Sequence, residues 1–245
     1  MALNFFIMIN LLELIKIRQS SRMPFDPDRP VTREHIQQIL EAGSWAPTAH
    51  NMQNYEVVVV DDKNLLTAIR KLDYTVSETF VQENYLQLSF SPEELKKKKT
   101  GVLSVMFPKS WLQPGLLPEH SHLNEPEHPL LERHDQMLSC PTLVILLYDK
   151  SRRAPASDGD FLGVMSLGCV LENMWLMAAS LEIGFHVVSA LANEPAAAQI
   201  KELLAIPPEL EIALAFRLGY PIAKGNYLRV RRDVQDFAHF NRWSQ

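Results

Sequence analysis

Only two cysteines occur in the 245 residues, Cys140 and Cys169, far apart and without a CxxC pair. No disulfide framework can be drawn from them, and two buried thiols in a reducing cytoplasm are the expectation. Glycine is also scarce. The nine glycines form neither GxGxxG nor GxxxxGK[ST], which excludes the Rossmann and P-loop ways of holding phosphate. There is no GxSxG elbow and no HExxH helix, so hydrolases built on those plans are excluded. A triad without fixed spacing is not excluded by that. Basic charge is missing too: 24 Lys and Arg stand against 29 Asp and Glu, a net charge of −5. Nucleic-acid binding wants the opposite field. The one basic run, Lys96–Lys99 behind "SPEEL", reads as a solvated helix face. The apolar start, "MALNFFIMINLLELIKIR", lacks a basic leader and a small-residue cleavage site, and Glu13 and Lys16 interrupt it. It reads as an amphipathic helix packed against something.

What is present is ordinary globular composition, 47% apolar and 22% charged, enough for one large domain or one domain with an insertion. A helix is expected over 3–17, ended by a segment carrying Pro24, Pro27 and Pro30. Thr32 caps a second helix, whose Ile36, Ile39 and Leu40 recur at helical spacing up to Gly43. "YEVVVVDD" predicts a strand buried on both faces. Short helices are expected at 64–72 and 77–90, and a capping signature, Ser91 with Glu94, opens another. Residues 107–135 carry five prolines and lose all periodicity, which suits a lid or disorder. "CPTLVILLYD", "FHVVSAL" and "EIALAFRLGYP" predict strands, and "PAAAQIKELLAI" a helix. The tail from Leu228 looks partly helical.

The stretch 160–183 is apolar all round a helix, with Glu172 and Asn173 at its middle. Those two polar residues, Asp160 and the glycine spacing argue against a membrane span. A helix apolar on every side is expected to be buried on every side, which here hints at burial between subunits.

Chemistry concentrates in three places. His120, His122, His128 and His134 lie among acidic residues, but a polar solvated loop explains them as well as a metal site would. "RQSSR" is more specific. In an extended chain Arg18, Ser20 and Arg22 share a face, and two guanidinium forks with a hydroxyl suit a phosphate monoester. "APTAHNMQNYEVVVV" supplies Pro47, Thr48, His50, Asn51 and Gln53 between a helix and a strand, a donor-rich loop suited to a flat heteroaromatic ring. Arg231 and Arg232 offer further anion partners. No convincing acid–base dyad accompanies them, so a cofactor is expected to carry the chemistry.

In this order and spacing the chain resembles the FMN-dependent nitroreductase family. The resemblance rests on Arg18-Gln19-Ser20-Ser21-Arg22 after the first helix and on the Ala46–Tyr55 loop. It rests also on the apolar helix running through Ala179 to Ile183-Gly184, and on Leu218-Gly219-Tyr220-Pro221 ahead of Arg231-Arg232. It covers roughly 11–62 and 138–243 and leaves 63–137 as a variable insertion within a single domain, 1–245. The resemblance implies an α+β fold with a central, mainly antiparallel sheet flanked by helices. It implies a cytoplasmic homodimer with two FMN sites at an interface of helices, no metal, no nucleic acid and no membrane. By carry-over, Arg18, Gln19, Ser20 and Arg22 hold the phosphate and ribityl chain, helped by Arg231 or Arg232. Pro47, Thr48, Ala49 and Asn51 reach the flavin of the partner subunit, and Val188, Ser189 and Ala190 lie along the ring. The implied activity takes hydride from NAD(P)H in ping-pong fashion and reduces a small acceptor such as a nitroaromatic or quinone. A reductive dehalogenase, a flavin-consuming offshoot and a flavin-binding protein without turnover are the alternatives. Gln19, Thr48, Asn54 and Tyr55 depart from the family's common Arg, Ser, Pro and Trp.

Overall fold

Four apolar strands pair into one antiparallel sheet in the computed structural model of the chain, which describes residues 10–72, 89–103, 140–155, 157–223, 225 and 228–243. The chain forms two compact units, one from Met1–Tyr74 and Asp135–Lys224, the other from Thr75–His134 and Gly225–Gln245.

In the first unit α1 (Leu11–Ile17), α2 (Arg33–Ser44), β1 (Tyr55–Val60) and α3 (Lys63–Arg70) come first. The second unit supplies β2 (Ser89–Phe90), α4 (Pro92–Lys98) and β3 (Val102–Leu103). The first unit resumes with β4 (Thr142–Asp149), α5 (Phe161–Ser180), β5 (Gly184–Val188), α6 (Ala196–Leu203) and β6 (Leu210–Gly219). Strand order is β1-β4-β6-β5, antiparallel at every step. This is the expected α+β plan.

Alternation along the strands divides the core in two. Val144, Leu146, Phe185 and Phe216 pack with Ile36, Ile39, Val170 and Met174 of α2 and α5. Ile145, Leu147 and Ala215 pack with Leu66, Ile69, Ala197 and Ile200 of α3 and α6 on the other face. All eight residues of β4 are buried. The valine run of β1 packs into both clusters, as its pattern predicts, yet β1 is an edge strand and only Val60 is fully buried. Among the described residues β1 pairs with a strand on one side only.

α2 begins where Thr32 predicts, its hydroxyl accepting from the His35 N–H at 3.3 Å. Gly43 lets α2 approach α5: a Cβ there would lie 2.4 Å from Met174 Cε. β5 is shorter than "FHVVSAL" suggests, since the chain turns into a 3-10 helix over Ser189–Ala192. The helix expected over 77–90 lies mostly outside the described residues, and its end, Ser89–Phe90, is a strand. The tail forms a single 3-10 turn, Val234–Asp236. In the second unit Ser91 and Glu94 make the expected capping box on α4. Lys96, Lys97 and Lys98 are exposed, while Lys99 pairs with Asp233 and Asp236.

Gly184 and Gly219 face one another across β5 and β6. A Cβ on either would come within 2.6 Å of the Phe25 side chain. Their bareness lets Phe25 lie flat on the end of the sheet, where it bridges to Pro221. Gly219→Ala should therefore destabilise the protein by about 1–3 kcal/mol, the usual cost of overpacking. Urea unfolding checks this, and an unchanged midpoint contradicts it.

α5 buries Gly163, Ser166, Leu167, Val170, Met174 and Ala178. Its other face is open: Phe161, Val164 and Met165 are 68%, 58% and 55% exposed. Burial on every side does not occur within one chain. Among the described residues α5 is the one helix long and apolar enough to cross a membrane by length and composition.

Candidate cofactor site

α1 ends at Arg18, whose backbone is extended (φ −55°, ψ 126°). Ser20 bridges Phe185 in parallel, and the Ser21 N–H donates to the Phe185 carbonyl at 2.8 Å. The segment thus meets the outer edge of β5 at Ser20 and Ser21. The indole N–H of Trp175 donates to the Gln19 carbonyl at 3.2 Å. Arg18 sits 4.7 Å above the Trp175 ring and pairs with Glu172 at 3.3 Å. Trp175 stacks on Phe185, and Phe185 on Phe216, so Arg18 rests on an aromatic column rooted in the sheet. A phosphate at Arg18 would share it with the Glu172 carboxylate. Ser20 and Arg22 are half-buried.

Val188 ends β5, and Ser189 and Ala190 open the 3-10 helix that follows it. Val188 is buried, Ala190 half-buried and Ser189 exposed. At about 3.3 Å per residue they begin roughly 10 Å from the Ser20 contact. β5 therefore meets the cationic segment at Phe185 and leads at its end into the residues expected beside the ring.

The loop before β1 is built differently. His50, Asn51 and Gln53 all have positive φ, 54°, 53° and 44°. Three such residues in four are costly for side chains with a Cβ, and the loop is held by a dense set of bonds. The Gln53 N–H donates to Thr48 Oγ1 at 3.1 Å, and the Gln53 amide donates to Asn51 Oδ1 at 3.3 Å. Ala49 N–H donates to Ser166 Oγ at 3.0 Å, and Arg152 to the Gln53 carbonyl at 3.1 Å. Pro47 and Asn51 remain exposed. Asn54, where the resembled pattern has proline, is buried, and its carbonyl accepts from the Asp149 N–H at 3.0 Å.

This loop enters β1, at the opposite edge of the sheet from β5. On α5 it meets Ser166, whereas the arginine segment meets Glu172 and Trp175. That is a separation of roughly 9–14 Å along the helix. One chain does not bring the two groups together. Arg231 and Arg232 belong to the second unit, where Arg231 donates to the Val230 carbonyl at 2.7 Å and Arg232 to that of Asp236. The histidines between 120 and 134 lie outside the described residues, as does the proline-rich segment expected to act as a lid. Among the described residues no group of His, Cys, Asp and Glu could hold a metal. Cys140 and Cys169 are free and half-buried rather than buried, and desolvation pushes the Cys140 thiol up to about 12.

Arg217 is the residue that pattern reading overlooked. Its signal was available: one cation within the apolar strand "IALAFRLG". It is completely buried and donates through Nε to His186 Nδ1 at 3.0 Å, so His186 is neutral with its proton on Nε2. Burial above all, then the charges of Arg217 and Arg22, hold His186 well below its ordinary value. The sign follows. Unfolded, the imidazole titrates near about 6.5, so below that pH the unfolded chain binds a proton that the native state refuses. His186 stabilises the fold fully above about pH 6.5 and progressively less as pH falls. His186→Asn keeps an acceptor without a titratable group. It should flatten the fall of the urea midpoint between about pH 7 and 5, and an unchanged slope contradicts this.

The sequence pattern of the nitroreductase family matches residues 15–220, and the chain belongs to that family. No individual curated protein matches it by sequence. Among solved structures, the NADPH:FMN oxidoreductase of Vibrio harveyi in complex with NAD+ is similar with a TM-score of 0.59 and 20% identity, covering 97% of this chain and 79% of that one. A nitroreductase with bound FMN from Bacteroides fragilis gives 0.54 at 19% identity, covering 95% and 98%. An FMN-dependent nitroreductase of Clostridium difficile gives 0.56 at 16% identity, covering 95% and 99%. At these identities the likeness establishes the shared fold.

Proposed function

We propose that the protein is an FMN-dependent oxidoreductase of the cytoplasm that takes hydride from NAD(P)H and passes it, in ping-pong fashion, to a small acceptor such as a nitroaromatic or quinone. The observation that carries this is the Arg18–Arg22 segment, which meets the outer edge of β5 at Phe185, three residues before Val188. Its donors, two guanidinium groups with the Ser20 hydroxyl and the Gln19 amide, fit a phosphate monoester and a polyol chain. Bound FMN would supply two-electron acceptance and donation at a ring that no side chain here replaces. Structural relatives that carry FMN or act on NADPH support the same reading.

In this reading Arg18 and Arg22 bind the phosphate, and Gln19 and Ser20 bind the ribityl chain. Val188, Ser189 and Ala190 border the ring. Pro47, Thr48, Ala49 and Asn51 complete the site of a second copy, because within one chain they stand at the other edge of the sheet. The homodimer is supported by an open apolar face. α1 has no buried residue, leaving Leu11, Leu12, Ile15 and Ile17 exposed, and α5 adds Phe161, Val164 and Met165.

Initial rates of NAD(P)H oxidation against a quinone and a nitroaromatic test the activity. Parallel double-reciprocal lines are expected. Intersecting lines contradict ping-pong transfer, and no oxidation with any acceptor leaves only flavin binding.

A further inference from the structure

Arg217 is fully buried, and one nitrogen of its fork faces three successive carbonyls. Nη2 accepts none and donates to the oxygens of Ser21 at 3.2 Å, Arg22 at 2.9 Å and Met23 at 2.9 Å. Nε is turned away to His186, its register partner on β5, and the guanidinium lies 4.4 Å from the Phe25 ring. In a regular strand successive carbonyls point in alternate directions. Three that converge on one nitrogen mean that the chain leaves strand geometry at this point, and it does so beside Arg22.

Simple attachment does not explain the arrangement. The segment is already fastened on both sides, by Ser21 N–H to the Phe185 carbonyl, Asp26 N–H to the Tyr220 carbonyl and Ile222 N–H to the Pro24 carbonyl. Between those fastenings the peptide groups on either side of the Arg22 Cα are both held by Arg217. Two fixed peptide planes fix the direction in which the Cα–Cβ bond leaves the chain. We propose that Arg217 is a positioning residue for the phosphate clamp: from inside the sheet it sets the direction in which Arg22 presents its guanidinium. His186 holds the Arg217 fork in its plane by accepting from Nε. The inference rests on the FMN reading of Arg18–Arg22.

Riboflavin, which is FMN without the phosphate, separates positioning from general support. The experiment measures the affinity of the apoprotein for FMN and for riboflavin by quenching of flavin fluorescence, in wild type, Arg217→Lys and Arg217→Met. Wild type should prefer FMN. Arg217→Lys keeps the charge, but its ammonium ends one atom short of Nη2 and offers His186 no Nε donor, so it should lower the FMN-to-riboflavin ratio by about tenfold or more while riboflavin binding is retained. An equal fall for both ligands, or an unchanged ratio in a cooperatively folded variant, overturns the inference. Should neither Arg217 variant fold, His186→Phe removes the Nε partner and must lower the ratio in the same direction, with His186→Asn restoring it; an unchanged ratio in His186→Phe overturns the inference. A wild type that binds riboflavin as tightly as FMN would show instead that the phosphate assignment itself is wrong, and the inference falls with it.

Discussion

Arg22→Ala should strip FMN from the protein. A charge-assisted hydrogen bond contributes about 1.5–3 kcal/mol, so losing one weakens binding roughly 10- to 150-fold, and losing two from the same fork more. The variant is a clean one. The Arg22 carbonyl still accepts from Arg217, and the neighbouring Ser21 N–H still donates to Phe185, so the backbone stays in place when the side chain goes. Arg22→Lys keeps a point charge without the planar fork and should fall between the two. Absorbance after exhaustive dialysis reads the result. Stoichiometric FMN retained by Arg22→Ala contradicts the phosphate assignment.

Val164→Glu combined with Met165→Glu should convert the proposed dimer into a monomer of 28.0 kDa and release the flavin with it. Both side chains are more than half exposed in the single chain, so the fold itself tolerates the change. At a dry interface of helices, each buried carboxylate without a partner costs several kcal/mol. Release of flavin follows because the 46–53 loop of the second copy is withdrawn. Light scattering of the variant checks the mass. A double variant that remains dimeric and yellow contradicts both the interface and the shared site.

Local features of the fold were legible because local chemistry determines them. The Thr32 cap, the Ser91–Glu94 capping box and the apolar runs of β4 and β6 all stand where side-chain pattern places them. The extension at Arg18 and the bridge at Ser20 agree with the pattern, but the chain leaves strand geometry beside Arg22. Non-local pairing was not legible. Nothing in "YEVVVV" says that its strand is at an edge, since the same valines pack both faces in either position. Nothing in the motifs says that the 46–53 loop and the arginine segment stand at opposite edges, because strand order follows from the whole sheet. The two glycine-bearing motifs are short runs with no visible link to each other. Gly184 and Gly219 instead pair across two strands to make room for Phe25, a residue no pattern links to them. Arg217 was visible only as an anomaly, a cation in an apolar strand, and its meaning depended on which carbonyls it meets.

The visible spectrum of the dialysed protein, before and after NADPH or NADH is added without oxygen, tests the central claim most directly. A yellow protein with stoichiometric FMN that bleaches on addition of reduced nicotinamide is the expected result. A colourless protein that also fails to take up added FMN would contradict it.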